Sequence, residues 1–479
     1  MLRFDITTLG CKVNQYDSQA IAAWLEAAGW APAKPDKQAD LLVINTCCIT
    51  TVAMAKSRNS LSRAVRKKPG AAVLVTGCYS DYDRKRLQKI LDKLAVPVDR
   101  RMIAGHHHDV AENLRVLVQS LNQASPAETS LDGQPSIPCQ PSTIKARRLA
   151  AVKSNVAATK NLPGIRRFSN RQRAFVKVQD GCDAFCSYCI VPYTRPRVWS
   201  RTPEDILDEC RILATNGHRE IVLCGVFIGA FGQQTTIRRK WPAQTNALAE
   251  LLRRVCDIDG LWRVRLSSIE PGDVTDKLLE TIAECPKAAP HLHLPLQSGS
   301  PAILRSINRQ YSADQFRQTV QRVRQALDRP ALTTDIIVGL PGETNADFAQ
   351  TIEIAREAGF AKIHAFPFSP IEGTAAWHLR DQVPPHEIVK ARMVELAEIE
   401  AESAHQYRLP FVGQTVEALV ERPRRGQACR QGMTDRYQAI RFTPTEPVRK
   451  LTGHVVCLRV DAATADGLDG TLMDHSIGL

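Results

Sequence analysis

The sequence predicts an α/β protein in three parts: an N-terminal parallel-sheet α/β domain, a central partial (β/α)6 barrel and a small C-terminal all-β barrel. Three observations predict it. Strand-length apolar runs alternate with helix-length stretches in two separate series, as parallel sheets wrapped by helices require. A stretch rich in Pro, Ser, Ala and basic residues separates the series, and the helical period disappears after residue 408. At 479 residues the chain also exceeds what one ordinary core encloses.

The first series runs through RFDITTLG (3–10), DLLVINTC (40–47), AVLVTGC (72–78) and RMIAG (101–105), with SQAIAAWLEAAGW and RKRLQKILDKL as helices between them. It defines a domain over 1–122. Residues 123–167 lack any sustained period and read as a basic linker. The second series, AFVKVQ, EIVLCGV, RVRLSSI, HLHLPLQ, LTTDIIVGL and AKIHAFPFS, supplies six βα units over 168–408. Six are too few for a closed eight-stranded barrel and suit an open one. An Ala- and Glu-rich helix over 386–408 precedes the final module, 409–479, whose short strands and Gly turns indicate a small barrel.

Composition narrows the setting. The 14 cysteines are clustered or dispersed in a long chain, which argues against the disulfide framework of a small secreted domain and for a reducing compartment. The opening MLRFDITTLG reads as a strand rather than a secretory signal, and no run of about 18 apolar residues appears, so the expectation is a cytoplasmic protein without a membrane partner. An excess of 63 Lys and Arg over 50 Asp and Glu gives a net charge of +13, which favours a polyanion such as a nucleic acid.

Chemistry concentrates in DGCDAFCSYCIVPY (180–193), where Cys182, Cys186 and Cys189 form a CxxxCxxC array in the loop after a strand. A structural zinc site would need a fourth protein ligand. Three thiolates in one tight loop suit a 4Fe-4S cluster with one iron left open to a small molecule. A second set, Cys11, Cys47 and Cys78, follows the carboxyl ends of three separate strand candidates, so a parallel sheet would bring them to one rim. Cysteines scattered in a core are the plainer alternative. Cys48 adjoins Cys47, leaving ligand exchange between them open.

The CxxxCxxC array with an aromatic before its third cysteine resembles the signature of radical S-adenosylmethionine (SAM) enzymes. With TLGCKVNQYDS, NTCCIT and VTGCYS upstream, and RLSSIEP, HLHLPLQSGS, DIIVGLPGET and FSPIEGT downstream, the chain resembles the methylthiotransferase family. Its opening is similar to the branch acting on N6-threonylcarbamoyladenosine in tRNA, whereas the isopentenyladenosine branch has a GCQMN-like opening and the ribosomal-protein branch one like GCxKNxxDSE. The resemblance implies two 4Fe-4S clusters, SAM and a C-terminal TRAM-like RNA-binding module. Its implied reaction is methylthiolation of adenine C2 on the 3′ side of the anticodon. The implied partners are a tRNA anticodon loop and a low-potential electron donor such as flavodoxin or ferredoxin. A non-catalytic, zinc-containing RNA-binding protein is the rival from another class.

Further residues acquire candidate roles. Gly225, Ser268, Glu270, Gln297, Gly339 and Gly342 stand at or near strand ends and, by resemblance, would contact SAM. An ordinary turn glycine is the alternative for Gly225, and a structural salt-bridge partner the alternative for Glu270. Pro196 stands where the family commonly has Gly. Arg424, Arg425, Arg436 and Tyr437 interleave cations with an aromatic in the terminal module, a composition that holds phosphates and stacks bases. The long basic loop 232–246 reads either as an RNA contact or as surface. The consecutive histidines of GHHHDV cannot all point one way and read as a solvated loop.

Overall fold

The computed structural model describes the chain except residues 35–36, 106–108, 125–161, 170, 242–244, 424–428, 444–450 and 474–479. Most of the 123–167 linker, the three GHHHDV histidines, and Arg424 with Arg425 therefore lie outside the described residues. Two compact units result: Met1–Ile165 with Tyr193–Arg195, and Arg166–Pro192 with Pro196–Leu479.

The first unit holds strands β1 (Arg3–Thr8), β2 (Ala31–Pro32), β3 (Leu41–Thr46), β4 (Ala72–Gly77) and β5 (Arg101–Ile103), parallel throughout and ordered β2-β1-β3-β4-β5. Helices α1 (Lys12–Ala27), α2 (Thr51–Lys67), α3 (Cys78–Tyr82), α4 (Arg84–Lys93) and α5 (Asp109–Ala124) connect and follow them. Every residue of LLVINT and AVLVTG is buried, because a parallel sheet is covered on both faces. Phe4, Trp24, Trp30, Leu41, Val43 and Leu74 form the core with the apolar side of α1. Thr8 pairs with Asn45 and Thr46 with Gly77, so β1, β3 and β4 end nearly in step. The short edge strand β2 was not legible in sequence; its proline is tolerated only at a sheet edge.

The second unit contains β6 (Arg173–Lys177), β7 (Gln179–Asp180), β8 (Trp199–Ser200), β9 (Glu220–Cys224), β10 (Arg263–Leu266), β11 (His291–His293), β12 (Ala331–Val338) and β13 (Lys362–Pro367). Six of these form the expected open barrel as two parallel three-stranded sheets, β10-β9-β6 and β11-β12-β13, with a parallel bridge from Val264 to Ala288. The small β7–β8 ribbon is antiparallel. Around the sheets lie α6 (Pro203–Thr215), α7 (Ala247–Cys256), α8 (Asp276–Glu284), α9 (Pro301–Ser306), α10 (Ala313–Ala326), α11 (Asn345–Ala358) and α12 (His386–Arg408). Local chemistry sets their starts: Thr202 caps α6 ahead of Pro203, and Ser312 with Gln315 makes a capping box at α10.

Strands β14 (Thr415–Val420), β15 (Arg430–Thr434), β16 (Ala439–Phe442), β17 (Val455–Thr464) and β18 (Gly467–Leu472) close into a barrel, as the fold class anticipated. Phe411, Val420, Ile440, Phe442 and Leu458 fill it. The turn between β15 and β16 is gripped from the amino ends of the partial barrel's strands. The fully buried Arg265 bonds Glu220 at 2.7 Å and donates to the carbonyls of Thr434 and Asp435, both at 2.5 Å, while Arg263 donates to the Met433 carbonyl at 3.3 Å. Among the described residues no helix is long and apolar enough to cross a membrane.

Candidate active site

In the first unit three cysteines follow three adjacent strands. Cys11 precedes α1, Cys47 follows β3 and Cys78 opens α3. Two glycines let the loops close. Gly10 has φ +99°, and a Cβ there would lie 3.0 Å from Cys47 Cβ and 3.1 Å from its sulfur. Gly77 has φ +96°, and a Cβ there would meet the Thr46 carbonyl at 2.3 Å. A side chain at Gly77 would collide with backbone, and one at Gly10 would press on Cys47 in a conformation that side chains resist.

Buried amides lock this rim. Asn14 donates to the carbonyls of Leu9 (2.9 Å) and Thr46 (3.0 Å), and Asn45 donates to the Asn14 carbonyl (2.8 Å) and the Ser18 hydroxyl (3.0 Å). The Ser57 hydroxyl accepts from the Cys47 N–H at 3.1 Å and donates to the Cys47 carbonyl at 2.9 Å. Burial pushes the Cys47 thiol up to about 12, and the neighbouring Cys78 and Cys11 thiols push it the same way. Cys48 is also fully buried and hydrogen-bonds through its thiol to Cys78, so the rim carries a fourth sulfur. Among the described residues no three Cys, His, Asp or Glu groups converge closely enough to hold a single metal ion.

In the second unit Cys182, Cys186 and Cys189 lie just beyond β7, in a loop pinned at both ends. At its start Gly181 has φ +81°, and a Cβ there would fall 1.8 Å from the Arg197 carbonyl. Gln179 donates to the carbonyls of Asp180 and Gly181 and accepts from Phe227 N–H at 2.7 Å. The Asp183 carboxylate accepts from the hydroxyls of Thr235 (2.6 Å) and Thr236 (2.7 Å) and from Thr236 N–H (2.6 Å). Further on, Ser187 N–H donates to the Ile307 carbonyl at 3.1 Å, and Asn308 donates to the carbonyls of Ala184 (3.0 Å) and Phe185 (3.1 Å).

The sulfurs themselves have partners. Cys182 lies 3.6 Å from the Thr236 hydroxyl and accepts from Ala184 N–H at 3.5 Å, while Arg309 donates to Cys186 at 3.2 Å. Burial pushes the Cys182 thiol up to about 11 and raises Cys186 and Cys189 as well. Phe227, Ala230 and Trp241 pack beside Cys182 and Ala184, giving the loop an apolar wall. Three sulfurs from one short loop, flanked by N–H donors, fit a cluster that takes three protein ligands.

The other sequence candidates are placed differently from one another. Gly225 follows β9, and a Cβ there would come within 2.9 Å of Gln179 Oε1, so its smallness accommodates the loop anchor. Ser268, beyond β10, is exposed. Glu270 forms the ion pair named as its alternative, with Arg238 at 2.8 Å and Arg309 at 2.5 Å; through Arg309 that pair reaches Cys186. Gln297 is buried with φ +63°, its N–H bonded to the Asp335 carbonyl. Gly339 has φ +78° and faces Val389, where a Cβ would sit 2.6 Å from a side-chain methyl; Gly342 has φ +76° and donates to the Gln382 carbonyl.

Among the described residues of loop 232–246, part is built into the site and part is exposed: Thr235 and Thr236 hold Asp183, Arg238 binds Glu270 and Asp273, and Trp241 donates to the Thr235 carbonyl, while Arg239 and Lys240 stand exposed. Tyr437 does not present a free ring to RNA. It stacks on His291 at 4.9 Å, and the guanidiniums of Arg265 and Arg173 lie 4.6 and 5.0 Å from its centre. Arg436 is occupied by Asp328, Asp435 and the Arg329 carbonyl. Sequence reading gave no role to Gln179, Asp183, Thr236, Arg238 or Arg309; Gln179 and Asp183 stand in or beside the cysteine array itself, while Thr236, Arg238 and Arg309 meet the loop through tertiary packing.

Comparison with known proteins matches residues 3–98 to the model of "Uncharacterized protein family UPF0004" and residues 176–355 to that of the radical SAM superfamily. A threonylcarbamoyladenosine tRNA methylthiotransferase of Chlamydia pneumoniae is 32% identical over 471 residues, 98% of each chain. The Bacillus subtilis protein of the same description is 31% identical over 95% of this chain and 92% of its own. A tRNA-2-methylthio-N(6)-dimethylallyladenosine synthase of Clostridium botulinum is 34% identical over 87% of this chain and 86% of its own. Among solved structures, the radical SAM methyltransferase TsrM of Kitasatospora setae, with cobalamin and a 4Fe-4S cluster bound, shares the fold at a TM-score of 0.51 and 12% identity, over 78% of this chain and 74% of that one. With relatives above 30% identity along nearly its whole length, this chain belongs to the radical SAM tRNA methylthiotransferases, SAM-using transferases that carry a 4Fe-4S cluster.

Proposed function

We propose that this enzyme methylthiolates C2 of N6-threonylcarbamoyladenosine on the 3′ side of the tRNA anticodon. The observation that carries the reading is the pair of separate cysteine trios, one following the carboxyl ends of three adjacent parallel strands and the other in the single loop just beyond β7. In support, the relative that matches 98% of both chains bears that substrate in its description, and TLGCKVNQYDS resembles that branch.

In this reading Cys182, Cys186 and Cys189 hold a 4Fe-4S cluster, and Cys11, Cys47 and Cys78 hold a second one that handles sulfur. Such a cluster, together with SAM, would supply the one-electron chemistry needed to activate an aromatic C–H that acid–base groups leave untouched. The chain's own residues do the rest. Asp183, Thr235 and Thr236 fix the cysteine loop, the wall of Phe227 and Trp241 excludes water, Gly225 makes room for the Gln179 anchor, and Ser268 and Gln297 are the strand-end groups offered to the cofactor. Residues 1–122 form the auxiliary-cluster domain, 168–408 the radical domain and 409–479 the RNA-binding module, with Arg424 and Arg425 among its phosphate contacts. Electrons come from a flavodoxin- or ferredoxin-like donor in the cytoplasm. Leaving a single-stranded anticodon loop costs the target base less than leaving a duplex.

Nucleoside mass spectrometry of tRNA from a deletion strain tests the assignment. Loss of 2-methylthio-threonylcarbamoyladenosine, restored by the gene, is expected; retention of that nucleoside would sink it. The second reading, the same reaction on isopentenyladenosine, has the Clostridium botulinum relative in its favour and predicts loss of the other methylthio nucleoside.

A further inference from the structure

Residues 307–309 deliver three successive contacts to the radical-site loop: the Ile307 carbonyl to Ser187, the Asn308 amide to Ala184 and Phe185, and the Arg309 guanidinium to the Cys186 sulfur. Asn308 has φ +57°, a left-handed conformation Asn tolerates better than most residues, and it turns the chain so that the next side chain reaches inward. The Arg309 side chain is 6% exposed. One of its nitrogens lies 3.2 Å from Cys186 Sγ and another 2.5 Å from Glu270, whose second oxygen binds Arg238 at 2.8 Å. Arg238 in turn binds Asp273 at 2.6 Å. Two cations and two carboxylates therefore alternate in a chain that ends on a cluster-ligand sulfur.

A guanidinium is charged at any working pH and its planar fork serves two partners at once. A hydrogen bond and a fixed positive charge beside a ligand thiolate stabilise the more negative, reduced form of an iron-sulfur centre and so raise its potential. A carboxylate on the other side of the same guanidinium offsets part of that field. We propose that Arg309 is a positioning residue that sets the reduction potential of the cluster held by Cys182, Cys186 and Cys189, and that Glu270 tempers it through Arg309. The inference rests on the reading that these three cysteines hold the cluster. It gives Glu270 a role through an arginine rather than through direct contact with SAM.

The test is an EPR-monitored redox titration of the full-length, anaerobically reconstituted protein, following the signal that changes when SAM is added. Arg309→Gln should make the reduced-to-oxidised ratio at a fixed potential about tenfold smaller, a shift of about 59 mV to more negative potential for a one-electron couple. Glu270→Gln should move the potential the opposite way, and Arg309→Lys, which keeps the charge but loses the fork, should fall between wild type and Arg309→Gln. Opposite signs distinguish tuning from a loop that has merely loosened. If Arg309→Gln does not retain iron, the sign of the Glu270→Gln shift decides. A normal wild-type signal with both glutamine variants unmoved, or moved in the same direction, would overturn this inference alone. Absence of any SAM-responsive signal in the wild type would overturn the cluster assignment and this inference with it.

Discussion

A single methyl group at residue 181 would strike the Arg197 carbonyl, and the φ of +81° there is already one that side chains resist. Gly181→Ala should therefore displace the cysteine loop at a cost of about 1–3 kcal/mol. Under the proposed assignment of a second cluster to the first unit, iron analysis after reconstitution should find about half the wild-type content. Thr236→Val tests the other side of the same loop. It removes the hydroxyl shared by Asp183 and Cys182 and should destabilise the loop by about 1–3 kcal/mol, since the Asp183 carboxylate loses a donor. Faster loss of iron to a chelator measures it. The three cysteines were legible because their spacing is itself the signal. Asp183 and Thr235 were not, because they stand 52 residues apart and only folding brings them together.

At the scale of elements, α11 offers a test in pH. Burial alone would push the Asp347 carboxyl up, but the hydroxyls of Ser300 and Thr344 and the Thr344 N–H outweigh it and hold the pKa below the ordinary value. A carboxyl whose folded pKa is depressed stabilises the fold above the unfolded value, near 4, and loses that contribution as pH falls through the folded value. The melting-temperature difference between wild type and Asp347→Asn should be constant above about pH 5 and shrink below about pH 4. A difference that stays flat through acid would refute the assigned cause. Strand existence was largely legible, since fully buried parallel strands read as unbroken apolar runs. Strand extent was not: HLHLPLQ forms a ladder only over His291–His293, because Pro295 has no N–H to continue it.

At the scale of the whole molecule, the second unit is held together by charges removed from water. Arg265 and Glu220 are both fully buried, so Arg265→Met takes from that carboxylate the nearer of its two arginines, leaving Arg263 at 3.4 Å, and should cost about 1–3 kcal/mol. Hydrogen exchange should then rise first in β15 and β16. The sequence showed arginines and a tyrosine near the end of the chain and implied RNA; it could not show that Tyr437 and Arg436 are taken up by the partial barrel, because the partners, His291 and Asp328, lie more than a hundred residues away. The grip on that hairpin has one more consequence. Arginine forks clasp the main-chain oxygens of Met433, Thr434 and Asp435, so docking reads the path of the polypeptide and is blind to the identity of those three side chains. Chimeras that import a relative's terminal module should seat properly when the loop length is kept together with the Tyr437 ring and the Arg436 guanidinium, and a one-residue insertion there should unseat even the native module.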